Sequence, residues 1–222
     1  MKYLLLLVVV AAGCGDSGGM SPQTLDAAAS NNDASSSDAA PVPHGLLVSW
    51  NAMPALPGPL KTDLAVTSAK FNISRLQVIG DNGQPMTMAP FAIGWSAETF
   101  GDPPTIGFSN APGGLYSQIT LEMQPVGMVS YEIMGTVKVG ATTKPFRIHD
   151  TANVDLDITG YNVAFAPGSD ATLPIRVDLK PPVETVDFTM VPDVAGTLDM
   201  GPSDPQMSAL RDKIDDAFKR GP

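Results

Sequence analysis

The feature that most constrains this fold is an alternation of apolar and polar residues that recurs after residue 44. In Leu115–Met123 the odd positions are mostly apolar and the even positions mostly polar, and Tyr131–Val139 repeats the pattern. Successive side chains of a β-strand point to opposite faces, so this period predicts strands with one buried and one solvated face. Such strands favour antiparallel sheets over a parallel sheet covered by helices.

Further strands are predicted where the same alternation recurs between turn signals. The turn signals are Asp81-Asn82-Gly83, Ala111-Pro112-Gly113-Gly114, Gly140 and Pro167-Gly168-Ser169. The further predicted strands are Leu46–Trp50, Leu64–Phe71, Ile73–Ile79, Met86–Trp95, Thr105–Phe108, Val154–Ile158, Leu173–Leu179 and Val186–Met190. Short strands at this spacing predict an all-β fold, an antiparallel β-sandwich of about eight or nine strands over residues 44–222.

A C-terminal amphipathic helix is predicted over residues 204–220. Asp204 suits the helix cap, and Pro205 suits the first helical position. An apolar stripe at helical spacing follows, made of Met207, Leu210, Ile214 and Phe218. We expect this helix to cover an open end or face of the sandwich.

Two segments of the predicted domain resemble a type of bacterial lipoprotein domain. Phe71–Gly83 ends a strand before an Asp/Gly turn, and Pro112–Leu121 follows with the pattern P-x-G-x-Y-x-x-I-x-L. Both are similar to DUF4382-type domains, which have no known function and an Ig- or transthyretin-like sandwich. The outline is more faintly similar to MbnP-like copper-binding periplasmic proteins. Because these motifs are turns and strands, the resemblance implies a fold rather than a chemistry.

The N-terminus has the pattern of a secretory signal. Lys2 precedes nine apolar residues, Leu4–Ala12, whereas a membrane-spanning helix needs roughly 20. Ala11-Ala12-Gly13-Cys14 resembles the lipobox of bacterial lipoproteins, with Ala11 at the place of the usual leucine. The resemblance implies a signal peptide over residues 1–13 and a lipidated thiol at Cys14, which is the only cysteine of the chain. An ordinary signal peptide with an incidental cysteine is the alternative.

Residues 14–43 are predicted to be a disordered tether. They are rich in Gly, Ser, Ala and Asp and contain no Lys or Arg, so they cannot bury enough apolar surface to fold. By the lipoprotein resemblance, Gly15 directly after the cysteine favours the outer membrane. Gly15–Gly19 reproduces the GDSGG string of trypsin-like serine proteases, but only the signal peptide precedes it, and that chemistry needs a folded His and Asp.

Few residues after the tether are suited to bind a metal. His44 and His149 are the only histidines of the chain, while a zinc site usually needs three or four His, Cys or carboxylate ligands. His44 with Trp50, Met86 and Met88 is the one set suited to copper. The alternatives are surface histidines and methionines that pack in the core. We therefore predict no cofactor.

Other candidate sites are nominated by residue type. Asn153-x-Asp155-x-Asp157 resembles the start of a calcium loop but lacks its glycine and glutamate, so we predict a solvated acidic stripe along a strand. The carboxylates nominated for a hydrolase of envelope glycans or peptides are Glu98, Asp102, Glu122 and Glu132. The aromatic residues nominated to line a small ligand groove are Phe91, Trp95 and Phe100, with core and loop packing as the alternative.

The charge of the chain argues against nucleic acid and anionic lipid surfaces as partners. Without Lys2 it has 12 basic and 23 acidic residues, a net charge of −11, which repels nucleic acid and anionic lipid surfaces. We expect membrane contact through the N-terminal lipid, and an envelope protein or glycan as the partner. The predicted function is a non-catalytic binding or scaffolding lipoprotein. The alternatives are a copper-handling lipoprotein and an enzyme acting on envelope carbohydrate or peptide.

Overall fold

The computed structural model describes residues 44–96 and 103–222, and within them the predicted all-β fold is confirmed. The predicted signal peptide, the tether with Cys14, and Glu98, Phe100 and Asp102 lie outside the described residues. The strands are β1 (Leu46–Ala52), β2 (Gly58–Lys61), β3 (Leu64–Gly80), β4 (Phe91–Ser96), β5 (Ile106–Phe108), β6 (Gly114–Met123), β7 (Tyr131–Val139), β8 (Thr142–Asp150), β9 (Val154–Phe165), β10 (Ala171–Val177), β11 (Asp193–Val194), β12 (Thr197–Met200) and β13 (Phe218–Arg220). The helices are α1 (Lys180–Thr185) and α2 (Met207–Asp215). Neither helix is long and apolar enough to cross a membrane.

The strands form two sheets that share one core. The smaller sheet has the order β13-β10-β1-β5, and the larger has the order β11-β12-β8-β7-β3-β6-β9, with β2 and β4 also paired to β3. Phe71 of β3 meets Phe218 of β13 edge to face, with ring centroids 5.1 Å apart. Trp50 of β1 packs against Phe91 of β4 at 6.3 Å. These contacts across the sheets place the apolar faces of the alternating strands against each other.

The expectation of purely antiparallel sheets is wrong at two strand pairs. β1 pairs with β10, and β12 with β8, in the parallel direction, while the other pairs among the described residues are antiparallel. Period-two alternation reports that one face of a strand is solvated. It does not report the direction of the neighbouring strand, so it could not predict these pairs.

Strand β3 is a single central strand where two strands were predicted. It runs for 17 residues, with β4 on one edge and both β7 and β6 on the other, because Phe71 pairs with β7 and Ile73 with β6. Asn72 lies where β7 gives way to β6. Its side-chain amide donates to the Val129 carbonyl at 2.8 Å, and its backbone N–H donates to the Ser130 carbonyl at 2.8 Å. Asn72, which separated the two predicted strands, is therefore only 2% exposed and lies inside one continuous strand, at the point where its partner changes from β7 to β6.

The turn motifs that carry the family resemblance hold β3 to β6. The Asp81 carboxylate accepts a hydrogen bond from the backbone N–H of Leu115 at 2.9 Å. The Tyr116 hydroxyl donates to the carbonyl of Pro112, four residues back, at 2.7 Å. A tyrosine that bonds back to the upstream backbone fixes a corner in many β-sandwiches. The motif residues therefore act in the architecture of the domain.

Strand β8 is not among the strands that the sequence predicts. Phe146 and Ile148 are buried and alternate with partly exposed Arg147 and His149, so the strand signal is present. Pro145 interrupts it, because proline removes a ladder donor and is confined to strand edges. Here β12 pairs only with Phe146–Ile148, so Pro145 has a strand partner only on the β7 side, where it lies opposite Thr136.

The predicted strand Val186–Met190 is wrong. Val186 and Phe188 are buried, but they lie in a turn after α1 rather than in a strand. The carboxylate of Asp187 accepts from the backbone N–H and the hydroxyl of Thr189 at 3.0 and 2.6 Å. Such local side-chain bonds favour a turn over a strand ladder. The strand predicted from Met86 also begins later, at Phe91, after Pro90.

The C-terminal helix is shorter than the predicted range of 204–220. Its stripe is buried as expected, with Met207, Leu210 and Ile214 each at most 1% exposed. The helix ends at Asp215, and Phe218–Arg220 pairs with β10 of the smaller sheet. Residues 218–220, which helical spacing predicted to be the last turn of the helix, thus form a strand at the free edge of β10.

We predict that Asn72→Ala lowers the free energy of unfolding by about 1–3 kcal/mol, because a buried carbonyl loses its donor. The urea unfolding midpoint measures the loss. Gln77→Ala on the same strand is the matched control, since its side-chain bond to Gln84 is exposed. A loss of unfolding free energy no larger than that of the control would contradict the role of Asn72 in holding β3 to the segment before β7.

Candidate binding groove beside strand β8

An open groove of about 510 Å³ lies against the end of β8. β8 contributes His149, and the segment from Pro192 to Pro205, which contains β11 and β12, contributes the other lining residues. Pro192, Pro202 and Pro205 bracket the short strands of this segment. Because prolines lack a backbone donor, they end the sheet here and leave its border open.

The polar centre of the groove is the pair His149 and Asp199. β12 runs parallel to β8 with Asp199 opposite Arg147, so Asp199 and His149 project from the same face of the sheet. The Nδ1 atom of His149 lies 3.3 Å from Oδ1 of Asp199. Both atoms are buried, yet no well-formed hydrogen bond joins either to a partner among the described residues. Gly201 lies beside the ring, and a Cβ there would make an ordinary van der Waals contact with Cε1 and Nε2 at 3.4 Å.

The second carboxylate near His149 is already occupied. Glu132 lies directly opposite His149 on β7, where cross-strand side chains approach each other closely. Its carboxylate instead accepts from Nε of Arg147 at 2.6 Å. Asp199 is therefore the carboxylate in close contact with the imidazole.

The residue after His149 points to the opposite face and has a different role. Asp150 is fully buried. The guanidinium of Arg211 on α2 donates Nε to Oδ2 at 2.6 Å and Nη2 to Oδ1 at 2.8 Å. The backbone N–H of Thr151 donates at 2.8 Å and the Tyr131 hydroxyl at 3.2 Å. A buried carboxylate with this many donors is a structural ion pair.

The same donors set the titration of the pair. Burial opposes ionisation of Asp150, but the Arg211 guanidinium and the backbone N–H groups of Thr151 and Ala152 hold the pKa of the carboxyl below its usual value. Burial and the neighbouring Asp150 charge raise the pKa of Tyr131, so its hydroxyl remains a donor. The carboxylate therefore stays charged and paired at neutral pH.

Helix α2 and the loop before it fix the wall of the groove. The Asp204 carboxylate accepts from the backbone N–H of Gln206 at 2.9 Å. The side chain of Gln206 then bonds both backbone groups of Asp187, at 2.7 and 3.2 Å. Together with the Arg211 ion pair, these bonds hold the Pro202–Pro205 wall against β8.

The two histidines are not brought together. His44 precedes β1 of the smaller sheet and is 75% exposed, with Nδ1 3.4 Å from Oδ2 of Asp170. It lines a different groove from that of His149. Within residues 44–96 and 103–222, no group of three or more His, Cys, Asp or Glu side chains could hold a metal ion.

The predicted methionine and aromatic residues divide between surface and core. Met86 and Met88 are 44% and 95% exposed, so the alternative of core packing is wrong for both. Trp95 is buried at 7% exposure, and Phe91 packs on the core beside Trp50.

The nominated acids that the structure describes lie on the outer faces of the strands. Asp155 and Asp157 lie exposed along β9, as the acidic stripe predicts. Asp157 accepts side-chain hydrogen bonds from Gln118 and Thr120 on β6 at 3.1 and 3.0 Å. Glu122 pairs with Arg75 at 3.3 Å.

Comparisons with protein-family models, curated proteins and solved structures give no match for this chain.

We predict that Asp150→Asn lowers the free energy of unfolding by about 3 kcal/mol, because it leaves Arg211 without its buried partner. Urea unfolding at pH 7 measures the loss, with Asp155→Asn on the exposed face of β9 as the control. A pKa held below its unfolded value gives stability above about pH 4 that is lost as the pH falls through the folded pKa. The difference in the free energy of unfolding between wild type and Asp150→Asn should therefore be smaller at pH 3 than at pH 7. The same difference in unfolding free energy at both pH values would contradict the assignment of an ion pair.

Proposed function

We propose that this chain is a lipid-anchored protein of the bacterial cell envelope whose β-domain is a non-catalytic binding module. The observation that carries the anchor is Cys14, the only cysteine, placed directly after an apolar run and the small pair Ala12-Gly13. Acyl chains contribute about 0.8 kcal/mol for each buried methylene, so a multiply acylated Cys14 would stay in the membrane. With Gly15 as the next residue, the outer membrane is the proposed location.

The chemistry of the described domain supports binding. Glu122 and Glu132, two of the carboxylates nominated for hydrolysis, form ion pairs with Arg75 and Arg147. Asp150 is enclosed by its donors. These acids hold strands and helix together. The groove at His149 combines apolar walls with a few converging polar groups, which is the usual composition of a ligand site.

Metabolic labelling with an alkyne analogue of palmitate tests the anchor. In a Gram-negative host, we expect wild type to incorporate the label and to begin at Cys14 after processing. Cys14→Ser should lose the label because it lacks the thiol that carries the lipid. Ser17→Ala, three residues later, is the matched control and should be labelled like wild type. An unlabelled wild-type chain, or a labelled Cys14→Ser chain, would refute the proposal.

A further inference from the structure

We propose that the groove at His149 binds the cationic side chain of an arginine or lysine in an extended segment of a partner protein. The inference rests on the proposed function, in which the domain binds a partner, and it names the chemistry that the partner must present. Hydrogen-bond acceptors, unpaired charge and apolar walls in the groove carry it.

The groove presents acceptors rather than donors. A neutral histidine has one donor and one acceptor nitrogen, and Nδ1 of His149 faces the Asp199 carboxylate at 3.3 Å. A proton on Nδ1 leaves Nε2 as the acceptor. Oδ2 of Asp199 and Oδ2 of Asp204 accept no hydrogen bond from the described residues, since Asp204 uses Oδ1 to bind Gln206. A ligand that satisfies three acceptors must be rich in hydrogen-bond donors.

The charge of the groove selects a cation. The basic side chains of β8 are already paired, Lys144 with Asp193 at 2.6 Å and Arg147 with Glu132 at 2.6 Å. No lysine or arginine of the described ranges forms an ion pair with Asp199 or Asp204. Guanidinium and ammonium groups form charge-assisted hydrogen bonds with carboxylates, which are stronger than neutral ones.

The walls suit the stem of such a side chain. Pro192, Pro202 and Pro205 line the groove with Val194, whose side chain is 55% exposed. Long basic side chains lay their methylenes along apolar surface and keep the charged head on polar groups. Prolines also have no backbone N–H that could compete for the acceptors. β11 is only two residues long at the sheet border, which leaves the groove open to an extended chain.

The His149–Asp199 pair gives a further reason to expect a ligand. Nδ1 and Oδ1 are buried and close to each other, yet they lack a well-formed hydrogen bond. Buried polar groups are nearly always satisfied, and the exceptions concentrate where a function needs them. A cation held by Nε2 and Oδ2 pulls both side chains to one point, which brings Nδ1 and Oδ1 into line.

The test uses the fact that the chain has only two histidines. The full lipidated chain, labelled with ¹⁵N in its histidine rings and held in neutral detergent, is titrated with the blocked peptide acetyl-Ala-Arg-Ala-amide. We expect a saturable shift of the His149 ring resonances and none for His44. The matched citrulline peptide, which has the same shape without the charge, should produce no shift. An equal response to both peptides, or an unmoved His149, would overturn the proposal.

Two variants and one small molecule sharpen the result. Asp199→Asn and Asp204→Asn should each weaken peptide binding about tenfold, the loss expected for one charge-assisted hydrogen bond. Asp170→Asn, at the equivalent His–Asp contact of His44, should bind like wild type. Wild-type affinity in both groove variants would refute the site. If putrescine shifts His149 at lower concentrations than the peptide does, the occupant is a free amine and the protein partner is wrong.

The labelling at Cys14 is independent of this titration, so the two failures are distinguishable. If the chain is labelled with palmitate but the His149 resonances do not respond to the peptide, the lipid anchor is supported and the cation site is refuted. A responsive His149 in an unlabelled chain keeps the site and refutes the anchor.

Discussion

The ion pair between Asp150 and Arg211 is the interaction on which the C-terminal third of the fold depends. It joins the end of β8 to helix α2, which sits between a strand of the larger sheet and a strand of the smaller one. The apolar stripe of α2 supplies non-directional burial. The bidentate guanidinium contact is directional, so it sets where along β8 the helix rests. The Pro202–Pro205 wall directly precedes that helix and takes its position from the same contact.

Neighbouring residues of β8 serve opposite purposes because the strand has a period of two. Asp150 faces inward and meets two guanidinium nitrogens, a tyrosine hydroxyl and backbone N–H groups. His149 faces outward, and its one close partner, Asp199, has poor hydrogen-bond geometry. Full satisfaction makes a buried polar group rigid, whereas incomplete satisfaction leaves it able to gain from a ligand. This difference is the physical ground for treating Asp150 as structure and His149 as a binding residue.

The sequence predicted what depends on local pattern. Alternation predicted most strands, and helical spacing predicted the buried face of α2, because both reflect one side of an element meeting the core. Local pattern gave the wrong strand bounds at Asn72 and Pro145, because both residues normally end strands. Asn72 is tolerated where β3 changes partner strands, and Pro145 is tolerated where β8 has no partner on the β12 side. Of the groove, only His149 was nominated as a binding residue, while Asp204 and Pro205 were noted as residues that begin a helix. Its partner Asp199 lies 50 positions away, and Arg211 lies 61 positions from Asp150. No periodicity records such pairings, because the topology of the sheets creates them.

The acidity of the chain connects the groove to the choice of partner. The basic side chains of β8, Lys144 and Arg147, form ion pairs with Asp193 and Glu132. The excess of carboxylates over basic residues gives the chain a net charge of −10. Such a field repels nucleic acid and anionic headgroups, and it attracts basic segments at distances up to about a Debye length, roughly 8 Å at physiological salt. Long-range attraction raises the rate of encounter, while the groove decides what stays bound. An acidic surface and an acceptor-lined groove therefore select the same class of ligand by two separate physical routes.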